Sequence, residues 1–291
     1  MLPTGRRKTN RHRLFSRVLF YLVVLIIWLY IIFPFYWAFR SAISPDTELF
    51  ATPVQYFPQH PTFSNFSLVL GNSDFTKALL NSTIVAVSVS AIALVFGANA
   101  AYVLGRFGFR GRRTMMYLIL SMTMFPQIAV LGALWNMINQ FGFYDHLYAL
   151  VLTYLVFTLP FTVWVLTTFF RALPSELEEA AYVDGASPFQ TFWKIMLPLV
   201  APGLVTTGLL AFISAWNEFL YALSFIQSPE NRTVPLAIFN FVPATNVGSN
   251  FVTPWGQMMA ATVVVTIPLV VLTLIFQRRI LAGLTAGAVK G

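Results

Sequence analysis

Six runs of more than twenty predominantly apolar residues divide this chain, at about 19–39, 80–104, 115–138, 147–170, 202–226 and 255–276. A helix rises about 1.5 Å per residue and the hydrocarbon core of a bilayer is about 30 Å thick, so each run is long enough to cross it. Within hydrocarbon a helix satisfies its own backbone N–H and C=O groups, which an isolated strand cannot. The runs therefore predict an all-α integral membrane protein with six transmembrane helices. Composition agrees: 57% of the residues are hydrophobic, only 10% are charged, and the mean hydropathy is +0.72. A soluble domain carries about 25% charged residues.

Lys and Arg orient the runs. Arg6, Arg7, Lys8, Arg11, Arg13 and Arg17 precede the first run, and Arg106, Arg110, Arg112 and Arg113 follow the second. Arg171 and Lys194 follow the fourth, and Arg278, Arg279 and Lys290 follow the sixth. The opposite side holds only Arg40, Lys77 and Arg232. The richer side is expected to be cytoplasmic, with both termini on it. This spread also accounts for the net charge of +8 without a nucleic-acid partner. The first run, too long for a signal-peptide core and followed by no small-x-small cleavage pattern, reads as a retained signal-anchor helix. The outer segments 40–76 and 228–254, each with four prolines, are expected to be largely irregular.

Chemistry-bearing clusters are sparse. There is no cysteine, which excludes disulfides, thiolate metal sites and cysteine nucleophiles, and His12, His60 and His146 have no metal-ligand spacing. No Gly-x-x-x-x-Gly-Lys-Ser/Thr phosphate loop occurs; Gly283, Gly287 and Lys290 have the wrong spacing.

The segment between the fourth and fifth runs is the most structured cytoplasmic stretch. Ser175 and Glu178 have the spacing of a capping box, so a helix is expected from Glu176, with Glu176, Glu178 and Glu179 in its first turn. Ala180 and Ala181 offer a small-residue surface, and Gly185 suits a left-handed residue ending the helix. Ser187 followed by Pro188 starts a second short helix bearing Phe189, Phe192 and Trp193, and Pro198 and Pro202 mark the return to the membrane. An amphipathic connector lying on the membrane would have this form too, but an anionic leaflet favours Lys and Arg. The acids favour a protein partner.

The run Glu179-Ala180-Ala181-x-x-Asp184-Gly185-Ala186, followed by Phe192, Ile195, Leu197 and Pro198, resembles the EAA loop of ATP-binding-cassette (ABC) importer permeases, in its sugar-importer form. Trp216-Asn217-Glu218-Phe219-Leu220 and the tail 283–291 are similar to segments of the maltose-type second permease. The likeness covers essentially the whole chain. It implies the type I importer permease fold in one domain, 1–291, with a basic cytoplasmic N-terminus (1–18), a coupling loop (172–200) and a cytoplasmic tail (277–291). It further implies a prokaryotic inner-membrane location, a second homologous permease, a homodimeric ABC ATPase below and an extracytoplasmic solute-binding protein above. ATP and Mg would sit on the ATPase, and this chain would bind no cofactor. Glu179 would face a basic residue of the ATPase, Ala180 and Ala181 would allow close approach, and Gly185 would make the turn. Asp184, Ile195 and Pro198 belong to the same coupling motif, and Phe192 and Trp193 would fix the loop against the spans. The tail would reach into the ATPase dimer.

Polar residues at membrane depth are costly and mark pathways. Asn99, Gln127, Asn136, Asn217 and Glu218, with Trp135, Trp216 and Tyr221 nearby, are candidates for a carbohydrate path. Hydrogen bonding between helices is the alternative reading of each. Pro126 and Pro160 are placed to bend spans, and Gly97 and Gly208 to let them pack closely. The resemblance implies half of the translocation pathway for a sugar, a di- or oligosaccharide or related polyol glycoside, with a non-sugar such as glycerol phosphate as the alternative; which sugar is left open. A secondary transporter would be expected to show internal repeats and more intramembrane charge. A membrane-embedded enzyme would need a nucleophile–base or paired-carboxylate pattern, and none is evident.

Overall fold

The computed structural model describes residues 10–241 and 253–286, with side chains described over 14–241 and 253–278. Arg6, Arg7 and Lys8, Pro243 of the second outer segment, and 287–291 of the tail lie outside the described residues. Among the described residues the chain is all-helical. Its helices are α1 (Asn10–Ala42), α2 (Asp46–Leu49), α3 (Ser64–Gly71), α4 (Ser73–Arg106), α5 (Arg112–Thr123), α6 (Gln127–Gln140) and α7 (Leu147–Ala172). They continue as α8 (Glu176–Val183), α9 (Pro188–Thr191), a π-helical turn (Phe192–Met196), α10 (Leu197–Leu199), α11 (Ala201–Trp216), α12 (Leu220–Phe225), a 3₁₀ turn (Pro229–Asn231), α13 (Val234–Phe239) and α14 (Trp255–Ala286).

Four helices are continuous, apolar and long enough to cross a bilayer: α1, α4, α7 and α14. The expected third and fifth spans are not continuous. The third is cut between α5 and α6, which meet at 94°. Pro126 has no N–H and disfavours helical backbone at Phe125, so the helix stops and restarts at Gln127. The fifth is α11, entered from the preceding helical stretch through a 75° bend and ended at Trp216, before the short α12. Pro160, by contrast, is carried inside an unbroken α7. The outer segments also depart from expectation, because α2 and α3 occupy the first and α13 part of the second.

The helices divide into two compact units, one of residues 1–69 with 252–263 and the other of 70–251 with 264–291. In the first, Asn65 donates its amide to the carbonyls of Ala42 (3.0 Å) and Ser44 (3.1 Å), tying α3 to the end of α1. The Gly256 N–H donates to Asp46 Oδ1 (3.1 Å).

The second unit is organised on α4 and α7. A Cβ on Gly97 would lie 2.6 Å from Thr162 Cγ2, and one on Gly105 would lie 2.9 Å from Phe170 Cβ. The partners advance together along both helices, so α4 and α7 run parallel at backbone contact and end on the same face. Gly208 of α11 abuts Leu94 of α4 in the same way, at 2.8 Å. Packing between small residues drives helix association where lipid removes the hydrophobic force.

At the opposite face, Asp145 sits in the left-handed region with φ 61°. Its carboxylate accepts the N–H groups of Gln227 (2.8 Å) and Ser228 (2.9 Å) and the Ser228 hydroxyl. Its backbone N–H donates to Phe225 (2.8 Å), and its carbonyl accepts the Asn231 amide (2.6 Å). Asn81 of α4 holds the carbonyls of Glu230 (2.7 Å) and Arg232 (2.9 Å) of the same loop. Desolvation works to raise the Asp145 carboxyl, but the bonds from Ser228, Gln227 and Asn231 outweigh it and hold the group below the ordinary carboxylate range. A carboxylate depressed on folding contributes stability above its unfolded pKa of about 3.9, and that contribution is lost as pH falls through the folded value. Asp145→Asn is expected to lower the melting temperature of the detergent-purified protein at pH 7. The gap to wild type should narrow as pH is taken below about 3.9.

Candidate functional site

Both broken helices border one cavity of about 240 Å³. Thr123, Phe125 and Gln127 come from the α5–α6 break, and Glu218 and Tyr221 from the α11–α12 break. α7 contributes Tyr154, Phe157, Thr158 and Phe161, and α11 contributes Ala211, Ser214 and Ala215. The two helical contributions share one spacing. Tyr154, Phe157, Thr158 and Phe161 stand at i, i+3, i+4 and i+7, and Ala211, Ser214 and Ala215 at i, i+3 and i+4, so each set forms a single stripe facing the cavity.

The breaks are stabilised by side chains of the site itself. Glu218 accepts the N–H groups of Tyr221 (2.9 Å) and Ala222 (3.3 Å), capping the exposed start of α12. The Tyr221 hydroxyl donates to the Gln127 carbonyl (3.2 Å), joining one break to the other. The Tyr221 ring, fully buried, stacks on Phe157 at 6.0 Å and on Phe225 at 5.7 Å. The Tyr154 hydroxyl is buried without a hydrogen-bond partner, and Tyr154 and Glu218 line the same cavity. Aromatic faces alternating with hydroxyl, amide and carboxylate groups suit a ligand with both C–H faces and hydroxyls.

Of the residues singled out in the sequence, Gln127, Glu218 and Tyr221 meet here and the others do not. Asn99 and Asn217 turn back on their own helices, donating to Val95 (2.7 Å) and Ile213 (2.9 Å). Trp135 and Asn136 are exposed on α6, and Trp216 is buried against Phe212 with its indole N–H unpaired. Tyr154, Phe157, Thr158, Phe161 and Ser214 were missed because they are unremarkable as types. The i, i+3, i+4, i+7 repeat was the signal available to find them.

At the face where α4 and α7 end lies the EAA loop. The helix begins at Glu176 as expected, but not through a capping box: Ser175 has helical backbone and its side chain caps nothing. Glu178 is engaged elsewhere. Arg106, the last residue of α4, donates Nε to Glu178 Oε2 (2.6 Å), Nη1 to the carbonyls of Leu173 (2.8 Å) and Phe170 (3.4 Å), and Nη2 to Pro174 (3.2 Å). One guanidinium thus satisfies the open carbonyls at the end of α7 and pins α8. The pair is nearly dry, with side-chain exposures of 10% and 12%.

Gly185, at φ 80°, ends α8. The Ala186 N–H returns to Ala181 (2.9 Å) and the Gly185 N–H to Tyr182 (3.0 Å), the paired bonds of a Schellman turn. Ser187 and Gln190 then form a complete capping box on α9, with Pro188 at its first position. Phe192 is buried against Tyr102 (4.9 Å) and Phe170 (6.2 Å), and Ile195 and Leu197 pack on the same cluster. Trp193 does not join it; it is 46% exposed and meets Phe189 and Phe192. Ala181 is buried, whereas Glu179, Ala180, Asp184 and Pro198 are exposed.

The chain matches the model of the family described as the binding-protein-dependent transport system inner membrane component over residues 93–285. It is 41% identical over 262 residues to the trehalose transport system permease SugB of Mycobacterium tuberculosis, covering 90% of this chain and 93% of that one. It is 38% identical over 283 residues to the trehalose/maltose transport system permease MalG of Thermococcus litoralis, covering 97% and 99%. Its fold matches a chain of a bacterial ABC transporter involved in importing the acidic polysaccharide alginate, with a TM-score of 0.79 at 23% identity over 95% and 99% of the two chains. The protein is therefore a multi-pass membrane permease with the type I ABC importer fold. It belongs to the family of binding-protein-dependent transport system inner membrane components.

The Arg106 clamp carries a direct test. Arg106→Gln strands a nearly buried carboxylate and the Leu173 carbonyl and is expected to destabilise the protein by about 3 kcal/mol. Adding Glu178→Gln removes the stranded charge, so the double variant should be more stable than the Arg106 variant alone in denaturation curves.

Proposed function

We propose that this chain forms half of the pathway of an ATP-driven, binding-protein-dependent sugar importer in the inner membrane of a prokaryote. It spans the membrane six times with both termini in the cytoplasm, counting the α5–α6 and α11–α12 pairs as interrupted spans. The observation that carries this reading is the meeting of both interruptions at one aromatic and hydroxyl-lined cavity. Helix breaks at membrane depth are tolerated where they line such a cavity, and transporters place solute there. The substrate class follows the relatives, whose names specify trehalose and maltose. The lining residues contain no Lys or Arg and include one carboxylate, which disfavours a phosphorylated solute.

The whole chain acts as one permease domain, with 172–200 as the coupling loop and 277–291 as a cytoplasmic tail. A second permease completes the pathway, an ABC ATPase dimer binds below, and a solute-binding protein docks on the outer face. ATP hydrolysis belongs to the ATPase. The exposed Glu179, Ala180 and Asp184 meet the ATPase, while Ala181, Phe192 and Ile195 hold the loop to the spans and Pro198 returns it toward them. Gly185 fixes the angle between α8 and α9.

Purified importer in proteoliposomes should take up labelled trehalose or maltose only with ATP and the solute-binding protein. Uptake by this chain alone, driven by an ion gradient, would contradict the reading. Gly185→Leu strains a left-handed residue by about 1–2 kcal/mol, too little to unfold the chain, yet should abolish most ATP-coupled uptake. Unchanged uptake in that variant would remove the coupling role.

A further inference from the structure

Beside the coupling loop, but apart from it, three arginines converge without an acid. Arg112, Arg113 and Arg171 line a recess of about 460 Å³ with Met116, Tyr117 and Trp164, where α5 begins and α7 ends. Arg112 donates Nε to the Leu104 carbonyl (2.7 Å) and Nη2 to Gly105 (2.7 Å). Arg171 Nη2 approaches the same Leu104 oxygen (3.4 Å), so two guanidiniums share one acceptor. Among the described residues the ion pairs are Arg106–Glu178 and His60–Glu48, and neither supplies a counter-charge here. Arg113 is exposed. Three positive charges around one recess, with no acid among its lining residues, favour an anion there.

A separate apolar groove, which shares Phe125 and Phe157 with the solute cavity, lies further along the α5–α7 seam. Starting about one turn further into the spans, it has a volume of about 560 Å³ and is lined by Met122, Phe125, Leu155, Val156, Leu159 and Pro160 among others. Tyr117 and Trp164 stand between the basic end and this groove, where membrane proteins keep amphipathic rings. A free phosphate or nucleotide would use the arginines but leave the groove bare, whereas a zwitterionic lipid would use the groove but leave the charges unbalanced.

We propose that this seam is a built seat for one anionic phospholipid, with its phosphate on Arg112, Arg113 and Arg171 and an acyl chain in the α5–α7 groove. Planar guanidiniums bind phosphate oxygens in pairs, and basic pockets between spans beside a membrane face hold anionic headgroups. The site lies on the seam of the helix whose far end, at Thr123 and Phe125, borders the solute cavity. Lipid occupancy would therefore bear on the α5 side of that cavity.

The test is native mass spectrometry of the full-length protein, stripped of lipid in mild detergent and titrated with phosphatidylglycerol, phosphatidylcholine or inorganic phosphate. Wild type should retain one phosphatidylglycerol, bind phosphatidylcholine more weakly and keep the anionic lipid in the presence of phosphate. Arg113→Gln and Arg171→Gln should each weaken phosphatidylglycerol binding about fivefold. Arg113→Gln is the safe variant, since its exposed side chain makes no hydrogen bond or ion pair among the described residues; its melting curve should match wild type. Equal affinity for the two lipids, unchanged affinity in both variants, or displacement of lipid by phosphate would overturn the proposal. So would photocrosslinks from position 117 that land on a second permease chain instead of lipid.

Discussion

Hydrocarbon offers a backbone no water, so every N–H and C=O released by a helix break must find a partner inside the protein. This chain breaks two of its apolar stretches, at 124–126 and at 217–219. The structure resolves the cost by bringing both breaks to one place. Glu218 satisfies the N–H groups that open α12, and the Tyr221 hydroxyl of α12 finds its own acceptor in the Gln127 carbonyl of α6. The two breaks meet at the cavity, and Glu218, one of its polar groups, is held there by capping α12.

A second arrangement sits at the end of α7, the helix that also lines this cavity. α4 and α7 run parallel in near backbone contact through Gly97 and Gly105, so their ends arrive together at one face. There Arg106 collects the last carbonyls of α7 and the Glu178 carboxylate, and Tyr102 meets both Phe170 and Phe192. The EAA loop is thereby keyed to α4 and α7 by charge on one side and by aromatic packing on the other. α7 also carries the Tyr154–Phe161 stripe, so one continuous helix joins the loop to the cavity.

Legibility in the sequence followed the strength of local rules. Apolar length located all the long helices, and Gly185, Ser187 and Pro188 took the turn and cap roles their chemistry favours. Ser175 and Glu178 misled, because the capping-box spacing is a local signal and Arg106, 72 positions away in the chain, competes for the same carboxylate. The breaks were half legible: Pro126 was visible as a place to bend, but Pro160 looked the same and is absorbed within α7. What separates them is tertiary support, which one sequence does not display. The cavity was legible only in its unusual members, Gln127, Glu218 and Tyr221, since Asn99 and Asn217 satisfy themselves on the preceding turn of their own helices.

If the meeting of the two breaks forms the solute path, the absence of cysteine makes that path directly measurable. Single cysteines at Thr123 and Ser214 would line the cavity, while cysteines at Val87 and Leu210 would occupy exposed faces of α4 and α11 outside it. In the assembled transporter, the first pair should react with a charged, water-borne thiol reagent and be protected by the transported sugar. The second pair should stay inert. Unreactive positions 123 and 214, or reaction there that sugar does not slow, would contradict the account.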